Sequence, residues 1–140
     1  PITGERWIGV RGEPTRFRGA HGRAGCRPCP SLADAELSST SPDLLSEAQL
    51  RGFRRLQQAT RRTSWGGDCY AYGLIALGGI DIIVEPGLKV WDWAAIVPVI
   101  EGAGGQVRTW TGDILHPEGS GDVVAVGDPA LMPQVLSLLA

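Results

Sequence analysis

The stretch VEPGLKVWDWAAI, residues 84–96, places one carboxylate, Asp92, between two tryptophans in an otherwise apolar segment. An aspartate ahead of an apolar run can be a helix N-cap, because its side-chain oxygen accepts hydrogen bonds from free backbone amides. A carboxylate held rigidly at a helix start can also serve as a metal ligand or a catalytic group. The residue types alone leave both interpretations open.

Two further acids lie at positions where chemistry is possible. Gly66-Gly67-Asp68 precedes the apolar stretch CYAYGLIAL, and Glu85 ends the strand-like run IDIIVE. Glycines let a backbone approach a ligand closely, and an acid at a helix start points outward. Asp68 is therefore either a helix cap or a partner for a cation, and Glu85 could face the same space.

The three cysteines argue against a disulfide framework, because their number is odd. Cys26 and Cys29 form CRPC, a spacing found in redox motifs and in half of many zinc sites. No second CxxC and no pair of histidines at ligand spacing accompanies it. We expect a reducing, cytoplasmic setting.

Composition places the chain among soluble globular domains. Its 140 residues are enough for one core, and 43% are hydrophobic while 20% are charged. A net charge of −2 gives no preference for nucleic acid or membrane surfaces. No apolar run reaches the length of a membrane span.

The elements that position these residues alternate between helical and strand periodicity, which predicts a layered α/β domain. Pro98 falls inside one predicted helix and predicts a kink or an irregular turn there. The predicted helices lie near 42–58, 68–78, 92–103 and 129–139, and the predicted strands near 35–38, 80–85, 106–110 and 122–126.

The N-terminal part has a different pattern. Residues 1–18 predict two short strands, because strand-forming residues flank the turn signal Gly-Glu-Pro. Residues 19–31 are rich in Gly, Arg, Cys and Pro and have no periodicity, so they are the best candidate boundary.

Residues 66–105, from GGDCYAYGL to EGAGG, closely resemble the C-terminal signature of the inositol monophosphatase family. That signature is a Trp-Asp pair followed by small residues and a glycine-ended helix, with a glutamate upstream and a glycine pair before the preceding helix. Here those positions are Asp92, Glu85 and Gly66-Gly67. The resemblance extends over nearly the whole chain and implies a layered α/β/α domain with a mixed sheet.

Within the family, TGERWIGVRG, LSSTSPDL and GGDCYAYGL look like the histidinol-phosphate phosphatase branch. Inositol monophosphatases proper usually carry a Gly-Thr-Ala type of sequence where this chain has Gly67-Asp68-Cys69. The branch implies a small cationic phosphate ester, L-histidinol phosphate, as substrate, and a carboxylate is suited to pair with its ammonium group. The resemblance implies that the substrate-binding residues are Gly66, Gly67, Asp68 and Glu85, with Glu85 against the organic part.

The family resemblance also implies magnesium chemistry, in which carboxylates hold Mg²⁺ ions that activate a water and neutralise the phosphate. Asp92 is the implied metal ligand in this chain. Because magnesium demands strict geometry, we expect Trp91 and Trp93 to fix the carboxylate and Ala94-Ala95 to pack closely against the neighbouring layer.

The family's other metal ligands, a glutamate pair and a D-P-I-D-G-T segment, do not occur in this sequence. The resemblance therefore implies the C-terminal portion of such an enzyme, with the catalytic residues upstream and this polypeptide inactive alone. Residues 1–31 would be the last strands of an N-terminal domain plus a linker, and residues 32–140 the C-terminal α/β domain. The complete protein is expected to be a homodimer.

Three functions remain open: a histidinol-phosphate phosphatase, another small-ester phosphatase of the same family, and a catalytically inert binding module. Asp68 separates the first two, because only a cationic substrate needs a carboxylate there. A D-P-I-D-G-T segment directly upstream would exclude the third.

Overall fold

The computed structural model describes residues 2–20 and 22–140, and Pro1 and His21 of the predicted 1–31 segment lie outside the described residues. Within the described part, strands and helices alternate after a short N-terminal hairpin. The strands are β1 (Arg6–Ile8), β2 (Arg16–Arg18), β3 (Glu36–Ser39), β4 (Arg62–Trp65), β5 (Ile82–Glu85), β6 (Gln106–Thr109) and β7 (Val123–Val126). The helices are α1 (Glu47–Ala59), α2 (Asp68–Ile75), α3 (Val90–Trp93), α4 (Ile96–Gly102) and α5 (Met132–Leu139).

Five strands form one mixed sheet in the order β4-β3-β5-β7-β6. β3 pairs in parallel with both β4 and β5, whereas β7 is antiparallel to β5 and to β6. The predicted layered α/β domain with a mixed sheet is confirmed.

Helices cover both faces of this sheet. The connection from β3 to β4 and the one from β4 to β5 run in opposite directions, so right-handed crossovers place α1 and α2 on opposite faces. Successive side chains of β5 therefore enter different cores. Ile82 and Val84 join the core under α1 and α5, while Ile83 joins the core under α2 and α4.

The β1–β2 hairpin adds a further layer on the outer side of α2 and α4. Trp7 lies so close to α2 that a Cβ added at Gly73 would be 2.9 Å from its indole ring. The Thr15 hydroxyl donates to the Val99 carbonyl oxygen at 2.6 Å, which fixes the hairpin to α4. The assignment of this hairpin to a separate N-terminal domain stays a prediction.

The predicted helix near 92–103 is two helices, and the interruption expected at Pro98 lies earlier in the chain. Ala94 and Ala95 form a turn between α3 and α4, although the Ala94 amide still donates to the Val90 carbonyl at 2.9 Å. Pro98 is the third residue of α4, in a first turn whose amides have no intrahelical acceptor, so its missing N–H costs nothing there.

Two other elements differ from the sequence prediction. The helix expected near 42–58 begins as a 3-10 turn at Pro42–Leu44, and α1 starts only after a second cap, Ser46. The edge strand β4 (Arg62–Trp65) was missed, because its first three residues are polar, it is largely exposed and it carries no apolar alternation.

Part of the irregular segment 19–31 is anchored to the sheet by charge. Asp81 is fully buried, and Arg27 reaches it with two hydrogen bonds, Nε to Oδ1 at 2.8 Å and Nη2 to Oδ2 at 2.5 Å. The Glu36 amide also donates to Asp81 Oδ2 at 2.8 Å. A bidentate guanidinium thus compensates a carboxylate at the start of β5. No helix within the described residues is long and apolar enough to cross a membrane.

Arg27→Ala should destabilise the fold, because it leaves the buried Asp81 carboxylate with the Glu36 amide but without its cation. Loss of one partner of a buried pair costs about 3–5 kcal/mol, and the half-exposed guanidinium reduces this to about 1–3 kcal/mol. The measurement is the urea unfolding midpoint. The matched control is Arg23→Ala, at an exposed position in the same segment. Equal midpoints for the two variants would contradict the anchoring role.

Candidate functional site

The candidate site lies at the carboxyl ends of the adjacent parallel strands β3 and β5. β3 connects through α1 to β4 on one side, and β5 connects through α3 and α4 to β6 on the other. In open α/β sheets, ligands bind in the crevice outside the strand ends where the connections diverge in this way. The topology therefore marks this crevice as the place to examine.

Glu85 is a buried carboxylate at the end of β5, with 5% of its surface exposed. Alternation from Ile83 turns its side chain toward α2. Its Oε1 accepts the Thr40 hydroxyl proton, and its Oε2 accepts the Tyr72 hydroxyl proton with an O–O distance of 2.9 Å. Among the described residues no cationic side chain forms an ion pair with Glu85. Neutral donors alone stabilise this negative charge.

Asp68 is the first residue of α2 and follows two glycines with positive φ angles, 81° at Gly66 and 93° at Gly67. Its own φ is +43°, a left-handed conformation that Asp adopts more readily than most residues. Strained backbone of this kind concentrates at functional sites. The exposed Asp68 carboxylate lies with Oδ1 3.4 Å from Thr40 Oγ1. The predicted helix start is confirmed, and Asp68 and Glu85 meet around one threonine hydroxyl.

Tyr72 stays a neutral donor at this site. Burial raises the pKa of its hydroxyl well above the ordinary value, and the negative charges of Glu85 and Asp92 raise it further. Asp92 is thus close enough to act electrostatically on the same group of residues.

Asp92 is the third residue of α3 and is exposed, so the interpretation as an N-cap is wrong. Its Oδ2 instead accepts the backbone amide of Lys89 at 2.8 Å, which caps the helix from the third position. The loop before it is held in place by a hydrogen bond of 2.8 Å from the Leu88 amide to the Gly121 carbonyl and one of 3.0 Å from the Gly87 amide to Asp122 Oδ1.

The residues expected to clamp Asp92 do so only in part. Trp93 is buried in the core beneath α2 and α4, whereas Trp91 is 77% exposed. Residues two apart on a helix point in different directions, so only one of the two tryptophans can face the sheet. Ala94 and Ala95 are exposed and therefore are not buried against a neighbouring layer, which corrects the expected close packing.

The fit of Mg²⁺ to these residues follows from donor chemistry. Asp92 is exposed and uses only one carboxylate oxygen for the Lys89 amide, so the other can serve as a hard oxygen ligand. Within residues 2–20 and 22–140, no group of three or more His, Cys, Asp or Glu side chains is arranged to hold a metal ion. Asp92 as a metal ligand stays a prediction, and further ligands would have to come from elsewhere.

The CRPC cysteines have raised thiol pKa values. Burial raises the pKa of Cys26 to about 11 and raises that of Cys29 as well. Thiols that stay protonated at neutral pH are poor nucleophiles and poor metal ligands. Cys69, beside Asp68, is exposed and free.

Sequence reasoning missed Thr40 and Tyr72. Tyr72 lies four residues after Asp68, on the same face of α2, and this spacing was an available signal. Thr40 has no comparable signal, because its contact with Glu85 depends on the order of the strands in the sheet.

Comparison with known proteins shows the family of the chain. The family model described as "Inositol monophosphatase family" matches residues 1–140. The chain is 42% identical to the bifunctional phosphatase IMPL2, chloroplastic, of Arabidopsis thaliana, over 99% of this chain and 42% of that protein. It is 33% identical to a histidinol-phosphatase of Mycobacterium tuberculosis, over 91% of this chain and 50% of that protein. The chain thus spans half or less of these relatives' length.

A solved structure agrees with the fold. The inositol monophosphatase of Zymomonas mobilis superposes with a TM-score of 0.91 at 44% sequence identity, covering 96% of this chain and 53% of that one. The described helices and sheet therefore have the arrangement of that enzyme's corresponding part.

Tyr72→Phe should destabilise the fold, because it leaves Glu85 Oε2 buried without a donor. An unsatisfied buried acceptor costs about 1–3 kcal/mol, measurable by urea unfolding at pH 7. The pKa of Tyr72 is raised in the folded state, so the unfolded chain loses this proton first as pH rises. Stability supplied by Tyr72 is therefore complete below about pH 10 and declines above it, and the variant lacks this decline.

Tyr70→Phe is the matched control for that measurement. Tyr70 lies in the same helix, and its hydroxyl makes an exposed hydrogen bond of 2.7 Å to Glu5. It should unfold nearly as the wild type does. Equal losses in both variants would remove the buried Tyr72–Glu85 contact as the cause.

Proposed function

The chain belongs to the inositol monophosphatase family, whose members are phosphoric monoester hydrolases, and on this premise we propose that the full-length protein converts L-histidinol phosphate into histidinol and phosphate. Residues 1–31 would then be the last strands of an N-terminal domain plus a linker, and residues 32–140 the C-terminal α/β domain. We also propose that the full-length protein is a homodimer and acts in a reducing, cytoplasmic setting. The free cysteines of the described residues are compatible with a reducing setting.

The observation that carries the proposal is the negative subsite around Thr40. Glu85 and Asp68 both contact its hydroxyl, and no cationic side chain of the described residues pairs with either acid. A buried carboxylate without a cation is costly, and an incoming ammonium group would relieve that cost through charge-assisted hydrogen bonds. Inositol phosphate offers these two acids only neutral hydroxyls.

The relatives support this choice and also define its competitor. A histidinol-phosphatase of Mycobacterium tuberculosis is 33% identical over 91% of the chain. The 44% identity with the Zymomonas mobilis inositol monophosphatase favours a second candidate, a phosphatase for inositol phosphate or a similar neutral ester. The inert binding module is the third. Asp68 separates the first candidate from the second, because a neutral ester has no use for its charge.

The chain's own residues would divide the work as follows. Asp68 and Glu85 bind and orient the cationic end, while the Gly66-Gly67 backbone comes close to the organic part of the substrate. Asp92 would hold one Mg²⁺ ion, as is general in this metal-dependent family. When bound, magnesium neutralises phosphate charge and lowers the pKa of a coordinated water.

In the full-length protein, Asp92→Asn should lower magnesium-dependent turnover by two or more orders of magnitude. The amide keeps an oxygen for the Lys89 amide, so α3 stays capped, but it loses the charge that a hard cation requires. The measurements are kcat at saturating Mg²⁺ and the unfolding midpoint. Asp34→Asn, an exposed acid at the opposite end of β3, is the control. Near-normal turnover of Asp92→Asn would remove it from the metal site.

Asp68→Asn should reduce turnover of the amino-alcohol phosphate far more than that of a neutral phosphate ester. Asparagine tolerates the left-handed backbone at this position, so the change removes charge without adding strain. Loss of a charge-assisted contact is worth about 1.5–3 kcal/mol, or roughly ten- to a hundredfold in the ratio of kcat/KM values. Equal falls for both substrates would leave Asp68 as a structural residue and favour the second candidate.

A further inference from the structure

Thr40 connects the two acids of the subsite, and neither periodicity nor motif singles it out. It follows the last residue of β3, while Glu85 ends β5 and Asp68 begins α2. Three separate elements therefore meet at one hydroxyl. Thr40 Oγ1 is 3.4 Å from Asp68 Oδ1 and closer to Glu85 Oε1.

A threonine hydroxyl carries one proton, so it can donate to only one of these carboxylates at a time. The shorter contact, to Glu85, takes that proton. Asp68 Oδ1 then faces the lone pairs of the Thr40 oxygen. Within the described residues, the Asp68 carboxylate accepts no other hydrogen bond.

Glu85 is in the opposite situation. Its two carboxylate oxygens both receive hydroxyl protons, one from Thr40 and one from Tyr72, and these fix its plane. A buried carboxylate needs such donors, because each oxygen left without one would lose its hydration unreplaced. The hydroxyl of Thr40 thus donates to Glu85 and leaves the Asp68 carboxylate able to accept further hydrogen bonds.

We propose that Thr40 is a positioning residue for substrate selection: by giving its only proton to Glu85, it keeps that carboxylate oriented and leaves Asp68 open to the ammonium group of an amino-alcohol phosphate. The inference rests on the proposed function and extends it to a residue that acts through the two acids. The hydroxyl oxygen can in addition accept one hydrogen bond from the same ammonium group.

The test is Thr40→Val in the full-length protein, since valine has the same shape and lacks the hydroxyl. Glu85 then loses one of its two donors and is no longer held in one orientation, so the cation is bound more weakly. We expect KM for the amino-alcohol phosphate to rise about tenfold or more, with kcat nearly unchanged. KM for a neutral phosphate ester should stay close to that of the wild type.

Two further variants make the result specific. Thr40→Ser retains the hydroxyl and should restore KM for the amino-alcohol phosphate. Thr60→Val is the matched control, because the Thr60 hydroxyl donates to the Gln57 carbonyl at 3.1 Å at the end of α1, away from the strand ends. It should leave both KM values unchanged, and the unfolding midpoint of each variant reports on folding.

The possible outcomes separate the two proposals. Suppose first that the wild type prefers the amino-alcohol phosphate. Equal KM changes for both substrates in Thr40→Val, or no recovery in Thr40→Ser, then overturn the role of Thr40 alone. A fall in kcat for both substrates with a lower unfolding midpoint assigns Thr40 a structural role and overturns the inference too. A wild type without preference for the amino-alcohol phosphate overturns the proposed function and this inference together.

Discussion

The buried carboxylate of Glu85 sets the constraint on which this end of the sheet depends. An ion removed from water costs several kcal/mol unless donors replace its hydration, and here the donors are two hydroxyls from different elements. Thr40 can reach Glu85 only if β3 is the neighbour of β5, and Tyr72 only if α2 covers that face. Strand order, helix placement and the charge of the site are therefore coupled.

Much of the fold follows from periodicity, and its failures have local physical reasons. The buried strand β7 is apolar throughout and β5 is apolar up to its last residue, Glu85, so both were predicted within two residues. β4 is a polar edge strand whose register comes from pairing with β3 and not from its own side chains. The break between α3 and α4 was placed at Pro98, although proline is tolerated in a first turn. Propensity alone cannot tell a first turn from a helix interior.

The site was predictable only in its charged members. Asp68 and Glu85 stand out because an acid beside a glycine pair and an acid ending an apolar strand break the local pattern. Thr40 sits in a run of small polar residues and becomes significant only once β3 lies between β4 and β5. That order is a property of the crossovers, and the local sequence does not encode it in a readable form.

Asp92 is separated from Glu85 by a short loop whose path is fixed by contacts of its backbone. The loop from Pro86 to Lys89 carries the chain away from Glu85 and is fixed by hydrogen bonds to Gly121 and Asp122. A Cβ at Gly121 would lie 2.0 Å from the Leu88 carbonyl oxygen, so only glycine permits this contact. These contacts of the loop backbone set the path of the chain from Glu85 to Asp92.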